Sequence, residues 1–256
     1  MYQFINLTSI LSKKYKMKSI VVTGGSGRFG SILKKFKSKY NIFFPLKKEL
    51  DILNFKTIKN YLSKIKPNYL IHLAGLSRPM NIHEKDIKKS IDLNIIGTAN
   101  ITKACEERNI KLIYFSTNYV YPGTKGNYKE VDPLLPVNNY AWSKLGGEAS
   151  VMLYKNSLIL RLSMTEKPFI HKKAFANVKS SFIYHEDVLP IIFKTLDKKG
   201  ILNVGGKTNS IFNFAKRDNK KLKKIYLKRN KKIGIPFNSS VNLNKMNFFI
   251  KKNKVY

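Results

Sequence analysis

The sequence predicts an α/β fold built on a doubly wound parallel sheet, with helices on both faces and a small C-terminal lobe. Two observations support this fold class. Short β-branched or aromatic runs alternate with longer amphipathic stretches, as they do where parallel strands are joined by right-handed helical crossovers. The first apolar run, Ser19–Thr23, also leads straight into a glycine-rich turn and then into a helical pattern.

The individual elements follow from the spacing of the apolar residues. Buried strands are predicted at Ser19–Thr23, Asn41–Phe44, Tyr69–Leu73, Lys111–Ser116 and Leu158–Leu162. Helices are predicted at Gly30–Lys39, Asn54–Ile65, Ile91–Arg108 and Tyr140–Tyr154. The later pattern is weaker and predicts a strand running into a helix at Ser181–Leu196, a short strand at Gly200–Val204 and mixed structure from Ile211 onward.

These elements divide the chain into three parts. Residues 1–16 carry their lysines after an apolar stretch, the reverse of a signal peptide, and we expect a disordered leader or a misassigned start. Residues 17–162 are predicted to form the sheet domain, to which a segment near 181–206 returns. Residues 163–180 and 207–256 are then expected to form the small lobe.

The composition excludes several classes of protein. The formal net charge of +34 comes almost entirely from lysines spread over every segment, which favours a solvated surface over specific nucleic-acid binding. Even the dense run Lys216–Lys232 contains no recognisable nucleic-acid motif. No apolar run reaches the roughly 20 residues of a membrane helix, and the single Cys105 excludes an internal disulfide. We therefore expect a cytoplasmic protein that has no membrane partner and no metal site.

The glycine-rich turn has the spacing of a dinucleotide-binding motif, with glycines at 24, 27 and 30. Gly24 permits the tight turn, Gly27 lets backbone N–H groups approach a pyrophosphate, and Gly30 lets the helix pack against the strand. Arg28 and Phe29 lie inside the same turn and are predicted to contact the cofactor. The position of the motif between a strand and a helix predicts a Rossmann-type site for a nicotinamide dinucleotide.

The choice of cofactor is made at the end of the second strand. An acidic residue there would bind the ribose 2′-hydroxyl of NAD, but this chain has Phe44–Lys48 (FPLKK) instead, with Arg28 nearby. Positive charge without a carboxylate favours NADPH, and NADH stays open. Asp51 and Ile52 are predicted to hold the adenine, although Asp51 also suits the N-terminal region of a helix.

Two further features are expected along the path of the dinucleotide. Ala74 and Gly75 end the third strand in a small-residue turn that is open enough for the cofactor to pass. Asn94, on the following helix, is a candidate to hold backbone or water in a proton relay, with a buried structural amide as the alternative. All three residues lie near the carboxyl edge of the predicted sheet, where ligands bind in such folds.

The catalytic candidates are Thr117, Tyr140 and Lys144. Tyr140 and Lys144 are four residues apart and share one face of a helix, where the ammonium is expected to lower the phenol pKa from its usual value of about 10. Thr117 follows a strand at the carboxyl edge of the sheet and supplies a second hydroxyl for a developing alkoxide. Together these residues predict proton transfer to a carbonyl oxygen as a hydride reaches its carbon.

Several motifs of the sequence together resemble those of one enzyme family, the extended short-chain dehydrogenase/reductases, and most closely its dTDP-4-dehydrorhamnose reductase branch. The resemblance implies reduction of a 4-keto-6-deoxy nucleotide sugar, with Thr117, Tyr140 and Lys144 as the catalytic set. The matching segments are Gly24–Gly30, Leu50–Ile52, His72–Gly75, Asn94–Thr98, Ser116–Gly123, Tyr140–Lys144, Leu160–Ser163, Tyr184–Val188, Gly200–Gly206 and Ser239–Met246.

The resemblance also separates this chain from sister activities. Sugar 4,6-dehydratases have Asp-Glu directly after the threonine, where this chain has Asn118-Tyr119. Fucose-type epimerase/reductases use a cysteine near the strand end, whereas Cys105 falls on the preceding predicted helix. Two departures from the reductase pattern remain: Asn118 replaces a usual Asp, and the segment 164–181 is short. An NAD-dependent epimerase, a non-catalytic dinucleotide-binding regulatory subunit and a homodimer therefore stay open.

Overall fold

The computed structural model describes residues 17–228 and 234–252, so the predicted leader and part of the run Lys216–Lys232 lie outside the described residues. The strands are β1 (Ser19–Thr23), β2 (Asn41–Phe43), β3 (Tyr69–His72), β4 (Lys111–Thr117), β5 (Ser157–Leu162), β6 (Met164–Thr165), β7 (Lys173–Phe175), β8 (Lys179–Ser180), β9 (Ile183–Tyr184), β10 (Gly200–Val204), β11 (Asn209–Ser210) and β12 (Lys223–Ile225).

Helices cover both faces of the sheet and connect its strands. They are α1 (Arg28–Leu33), α2 (Phe55–Ile65), α3 (Ile82–Lys85), α4 (Ile87–Ile91), α5 (Gly97–Glu106), α6 (Asn139–Met152), α7 (His185–Thr195), α8 (Ile211–Ala215) and α9 (Asn244–Lys252). A π-helical turn, Asp92–Ile96, joins α4 to α5, and a 3₁₀ turn, Asn118–Val120, follows β4.

The central sheet has six parallel strands in the order β2-β1-β3-β4-β5-β10. The chain therefore winds first to one side of β1 and then to the other, which confirms the predicted doubly wound sheet. In such a sheet the carboxyl ends of β1 and β3 form a crevice, because the connections leave them in opposite directions. The topology thus provides a ligand site at this edge.

The side chains of the buried strands alternate between two apolar cores. On β1, Ile20 and Val22 pack into one core and Val21 packs into the other, and all three are fully buried. Burying a side chain of this size contributes roughly 1.5–3 kcal/mol of hydrophobic free energy. This burial on both faces explains why the strands are continuous apolar runs in the sequence.

Two helices differ from their predicted bounds. The first ends at Leu33, six residues before the predicted end, and a turn follows. The predicted helix Ile91–Arg108 begins earlier and contains the π-helical turn Asp92–Ile96. Asn94 lies in this turn and uses its side chain for hydrogen bonds outside the helix. Such π-helical turns often occur at functional sites, and their single extra residue is invisible to the helical period.

A small apolar cluster forms beside the carboxyl edge of the sheet. Residues that precede α7 in the sequence and residues that follow it contribute to this cluster. The two-stranded sheets β7–β12 and β8–β11 lie around it. Helix α9 packs elsewhere: Met246 belongs to the core of the central sheet, whereas the sequence groups it with the lobe. The main members of the cluster are Phe169, Ala174, Tyr184, Phe212, Phe214, Ala215 and Leu222.

Across the described ranges 17–228 and 234–252, no helix combines the length and the apolar composition that a bilayer crossing requires.

Candidate active site

A cleft of about 1790 Å³ opens at the carboxyl edge of the sheet. It lies beside the small apolar cluster, whose residues Phe169 and Ala174 form part of its wall. Asp51, Ile52 and Ala74 are not among its lining residues. The predicted site residues that line it are Gly24, Gly27, Arg28, Phe29, Gly30, Gly75, Thr117, Tyr140 and Lys144.

The glycine turn is held against the neighbouring strand by contacts that leave no room for side chains. Gly24 has a φ of +72°, and a Cβ atom there would lie 2.6 Å from the backbone nitrogen of Ala74. A Cβ atom at Gly30 would lie 2.7 Å from the carbonyl oxygen of Gly24. Both distances are far below a van der Waals contact. The turn therefore needs these glycines, and its exposed backbone fits the passage of a pyrophosphate.

Asp51 and Ile52 lie away from the cleft wall. The Asp51 carboxylate accepts a hydrogen bond from the backbone N–H of Leu53 at 3.0 Å, and its other oxygen is 3.8 Å from the ammonium of Lys47. Ile52 is buried in the core below the sheet. In this structure the carboxylate stabilises the turn before α2, and adenine binding by this pair stays a prediction.

Helix α6 carries two of the three catalytic candidates, Tyr140 and Lys144, and its start is fixed by Asn138. The Asn138 side chain accepts from the N–H of Ala141 at 2.8 Å and donates to the carbonyl of Gly234 at 2.7 Å. Farther along, Gly147 allows close packing, since a Cβ atom there would lie 2.3 Å from the carbonyl oxygen of Asn94. The cap and the close packing together fix the direction in which Tyr140 faces the cleft.

Tyr140 is half-buried in the cleft wall and lies close to the Thr117 side chain. Burial raises the pKa of the phenol, while the Thr117 hydroxyl and the charge of Arg78 lower it. The net effect is a pKa above the usual value, whereas the sequence predicts a lowered one, because burial disfavours the phenolate. The phenol thus stays protonated and suited to donate a proton.

Lys144 lies one helical turn beyond Tyr140 with its Nζ 4.3 Å from the centre of the Tyr114 ring. Burial lowers the pKa of this ammonium to about 7, and the nearby Glu148 carboxylate opposes that shift. The cation also lowers the pKa of His72, whose pKa falls to about 3 mainly through burial. Lys144 therefore changes its charge readily within the physiological range.

This depressed pKa predicts a pH-dependent effect of Lys144→Met on stability. Between pH 7 and 10.5 the unfolded lysine holds a proton that the folded one has lost, so wild-type stability rises with pH across this window. The variant lacks this contribution. Its free energy of unfolding relative to wild type should therefore fall by about 1 kcal/mol from pH 7 to pH 9, as measured by urea unfolding.

Lys56→Met is the matched control, since Lys56 is an exposed lysine on α2. Its effect on the free energy of unfolding should be the same at both pH values. An equally constant effect of Lys144→Met would mean that the Lys144 ammonium stays hydrated in the folded protein.

Asn94 connects the loop after β3 to α6. Its side chain accepts from the N–H of Leu76 at 2.7 Å, and it donates to the Leu76 carbonyl at 2.9 Å and to the Ser143 hydroxyl at 2.8 Å. The Ser143 hydroxyl in turn donates to the carbonyl of Tyr140 at 2.8 Å. Asn94 is therefore a buried amide that holds the backbone of this loop, and a part in a proton relay stays a prediction.

A buried ion pair supports the end of β4 beneath the cleft. The Glu148 carboxylate accepts from Arg161 Nη2 and from the Ser116 hydroxyl, both at 2.5 Å. Arg161 also donates to the Tyr121 hydroxyl at 2.9 Å and to the Glu130 carbonyl at 3.0 Å. This network fixes Ser116, the neighbour of Thr117, and so positions the end of the strand.

Asn118 has a structural role that the sequence did not reveal. Its amide donates to the Ser239 carbonyl at 2.8 Å and to the hydroxyls of Ser239 and Ser180 at 3.1 and 3.2 Å. A carboxylate has no hydrogen to donate in these contacts. The change from the usual Asp is therefore accommodated by serine partners around the buried side chain.

The sequence analysis predicts no role for two residues that line the cleft, Arg78 and Glu166, or for the buried His83 beside Tyr140. Arg78 and Glu166 form an ion pair at 3.2 Å, and His83 packs its ring 5.1 Å from that of Tyr140. Arg78 follows β3 at the carboxyl edge of the sheet, a position that could have marked it as a candidate. Nothing in the local sequence distinguishes Glu166 or His83. Lys172 and Lys173 also line the cleft.

Within residues 17–228 and 234–252, no group of three or more His, Cys, Asp or Glu side chains is arranged to hold a metal ion.

This chain spans about half the length of the curated relatives that it matches. The dTDP-4-dehydrorhamnose reductase of Aggregatibacter actinomycetemcomitans is 30% identical over 154 residues, which are 58% of this chain and 52% of that protein. Methionine adenosyltransferase 2 subunit beta of Danio rerio is 29% identical over 144 residues, which are 53% of this chain and 44% of that protein. The two relatives differ in the activity that their names state.

A solved structure shows a similar fold over nearly the whole length. It is the dTDP-4-dehydrorhamnose reductase of Bacillus anthracis in complex with NADP, with a TM-score of 0.80, 24% identity and coverage of 92% of each chain. This likeness confirms the Rossmann-type architecture. The family model described as the RmlD substrate binding domain matches residues 17–176, which is more than half of the chain. The chain therefore belongs to the RmlD substrate binding domain family, as the resemblance in its motifs predicts.

Proposed function

We propose that this protein is an NADPH-dependent reductase that converts the keto group of a 4-keto-6-deoxy nucleotide sugar into an alcohol. The observation that supports the proposal is one cleft lined by both the glycine turn and the side chains of Thr117, Tyr140 and Lys144. The Aggregatibacter relative is named a dTDP-4-dehydrorhamnose reductase, which agrees with this chemistry. Because the match covers about half of that relative, its substrate is carried over only as a proposal.

The glycine turn would hold the dinucleotide. Gly24, Gly27 and Gly30 leave the backbone free to approach its pyrophosphate, and Arg28 and Phe29 lie in the same wall. Asp51, Ile52, Ala74 and Gly75 are the proposed neighbours of its adenosine half and its path. When bound, reduced nicotinamide supplies the hydride. We place NADPH first because the Bacillus anthracis structure contains NADP and because no acidic residue ends β2.

The side chains of the site then handle the proton. Tyr140, protonated through burial, donates its proton to the carbonyl oxygen of the sugar. Thr117 offers a second hydroxyl beside it and stabilises the alkoxide as it develops. The Lys144 ammonium would hold the ribose hydroxyls next to the nicotinamide and would stabilise the phenolate that remains after Tyr140 has given up its proton.

A second candidate is a dinucleotide-binding regulatory subunit without its own turnover. The similarity to methionine adenosyltransferase 2 subunit beta of Danio rerio favours it, and the short segment 164–181 leaves less surface to cover a substrate. A subunit of this kind would bind NADPH in the cleft but would not consume it with any keto sugar. Retention of Thr117, Tyr140 and Lys144 around one cleft weighs toward the reductase.

A panel of 4-keto nucleotide sugars, each with NADPH and with NADH, tests the proposal through the loss of nicotinamide absorbance. The reductase predicts stoichiometric oxidation of NADPH with at least one 4-keto-6-deoxy sugar. An NAD-dependent epimerase would change the sugar without net cofactor consumption, which product analysis detects. Binding of NADPH without turnover of any sugar would support the regulatory subunit and contradict the reductase.

A further inference from the structure

A carboxylate links two arginines within the cleft. Glu166 Oε1 lies 3.1 Å from Arg28 Nη1 and 3.2 Å from Arg78 Nη1, and its Oε2 lies 3.3 Å from the same Arg78 atom. Arg28 belongs to the glycine turn, Arg78 to the loop after β3, and Glu166 to the segment after β6. All three residues line the cleft. The ion pairs therefore join three chain segments around the proposed ligand space.

The three side chains differ in exposure. The Glu166 side chain is 18% exposed, against 33% for Arg78 and 52% for Arg28. The Thr165 hydroxyl donates to Glu166 at 3.2 Å. Neighbouring cations and hydrogen bonds outweigh burial and lower the Glu166 pKa to about 2, so the carboxylate is charged at any working pH. The half-exposed Arg28 side chain gains little free energy from its ion pair with Glu166, so its guanidinium can exchange this carboxylate for another anion.

The three charged side chains lie between the glycine turn and Tyr140. Arg28 follows Gly27 directly in the glycine turn, and Arg78 is close enough to Tyr140 for its charge to favour the phenolate. Two guanidinium groups that converge on one pair of anionic oxygens are suited to a diphosphate, because guanidinium binds phosphate oxygens through parallel N–H donors. Glu166 occupies that position in the structure.

We propose that Arg28 and Arg78 form a binding site for a diphosphate group, and that Glu166 is an internal anion which the diphosphate displaces. This inference rests on the proposed function, because the dinucleotide and the nucleotide sugar each carry a diphosphate. Binding then requires exchange of one anion for another at the two arginines. Glu166 thus lowers the affinity for diphosphate ligands and favours release of the product.

The test compares Glu166→Gln with wild type in the full chain, using inorganic pyrophosphate, NADPH and dTDP as separate probes in calorimetric titrations. The variant keeps the size of the side chain and removes its charge. We expect the Kd for pyrophosphate, and for at least one of the two nucleotides, to fall about tenfold. Tightening with NADPH assigns the site to the cofactor, and tightening with dTDP assigns it to the sugar nucleotide.

Glu84→Gln is the matched control. Glu84 is an acidic residue in the same cleft, and its carboxylate bonds to the Asn139 amide instead of to an arginine. The Glu84→Gln substitution removes the same charge as Glu166→Gln. It should change each Kd by less than about twofold, since a charge at this position acts on the anionic probes only through screened long-range electrostatics. An equal gain in both variants would mean that general charge causes the effect, and would overturn the proposal.

Arg78→Met provides an independent test of the same site. In the wild-type background this substitution should weaken pyrophosphate binding about fivefold or more. Combined with Glu166→Gln, it should cancel the increase in pyrophosphate affinity that Glu166→Gln produces alone. Unchanged or weaker binding of all three probes to Glu166→Gln, or unchanged pyrophosphate binding to Arg78→Met, overturns the site. If pyrophosphate behaves as expected but no keto sugar is reduced, the site stands and the proposed reductase activity fails.

Discussion

Replacing Tyr140 with phenylalanine is expected to lower the turnover of a 4-keto nucleotide sugar by about 10²–10⁴-fold, the usual contribution of a general acid. The Kd for NADPH should change by less than about twofold. Phenylalanine keeps the ring that packs 5.1 Å from His83 and removes only the hydroxyl that lies near Thr117. Single-turnover oxidation of NADPH at saturating sugar measures the chemical step directly.

Tyr119→Phe is the control for this experiment. Tyr119 is a second tyrosine in the cleft wall, and burial raises its pKa to about 12. It loses the same atom from a neighbouring position, and the chemical step should slow by less than about tenfold. If the two variants lost activity equally, or if Tyr140→Phe stayed fully active, the proton would come from another group.

Arg161→Met is expected to lower the free energy of unfolding by about 3–5 kcal/mol, because it leaves a buried carboxylate without its partner. Glu148 is fully buried, and Arg161 is 1% exposed. The guanidinium binds Glu148 Oε1 through both Nε and Nη2, at 3.0 and 2.5 Å. Methionine fills much of the volume of the arginine side chain but does not neutralise the Glu148 carboxylate. Urea unfolding at pH 7 gives the difference.

The double variant Arg161→Met, Glu148→Gln separates lost charge balance from lost packing. Removing both charges eliminates the unpaired carboxylate, so the double variant should recover at least about half of the lost stability. A double variant as unstable as Arg161→Met alone would show that packing and the bonds to Tyr121 and Glu130 cause the loss, and not the isolated charge.

The strands and the glycine turn could be predicted because their causes are local. Strands buried on both faces are apolar throughout, and Gly24 is required by its own φ of +72° and by its approach to Ala74. Tyr140 and Lys144 share a helix, so their spacing alone puts them on one face. In each case the signal and its structural cause lie within a few residues of each other.

The remaining features depend on residues that are distant in the sequence. Glu166 is 138 residues from Arg28 and 88 from Arg78, so no local pattern could pair them. The direction of the Tyr140 pKa also depends on burial created by the whole cleft. Sequence spacing specified which groups are near one another but not how much water surrounds them.

The contacts of Asn118 have a consequence for synthesis on the ribosome. The chain emerges from its N-terminus, so the parallel sheet can assemble as soon as β10 has left the exit tunnel. The Asn118 amide beside Thr117 then has its Ser180 acceptor but still lacks both Ser239 acceptors, because Ser239 lies 35 residues beyond the end of β10. The nascent protein can therefore hold a nearly finished sheet before the cleft edge of that sheet is complete.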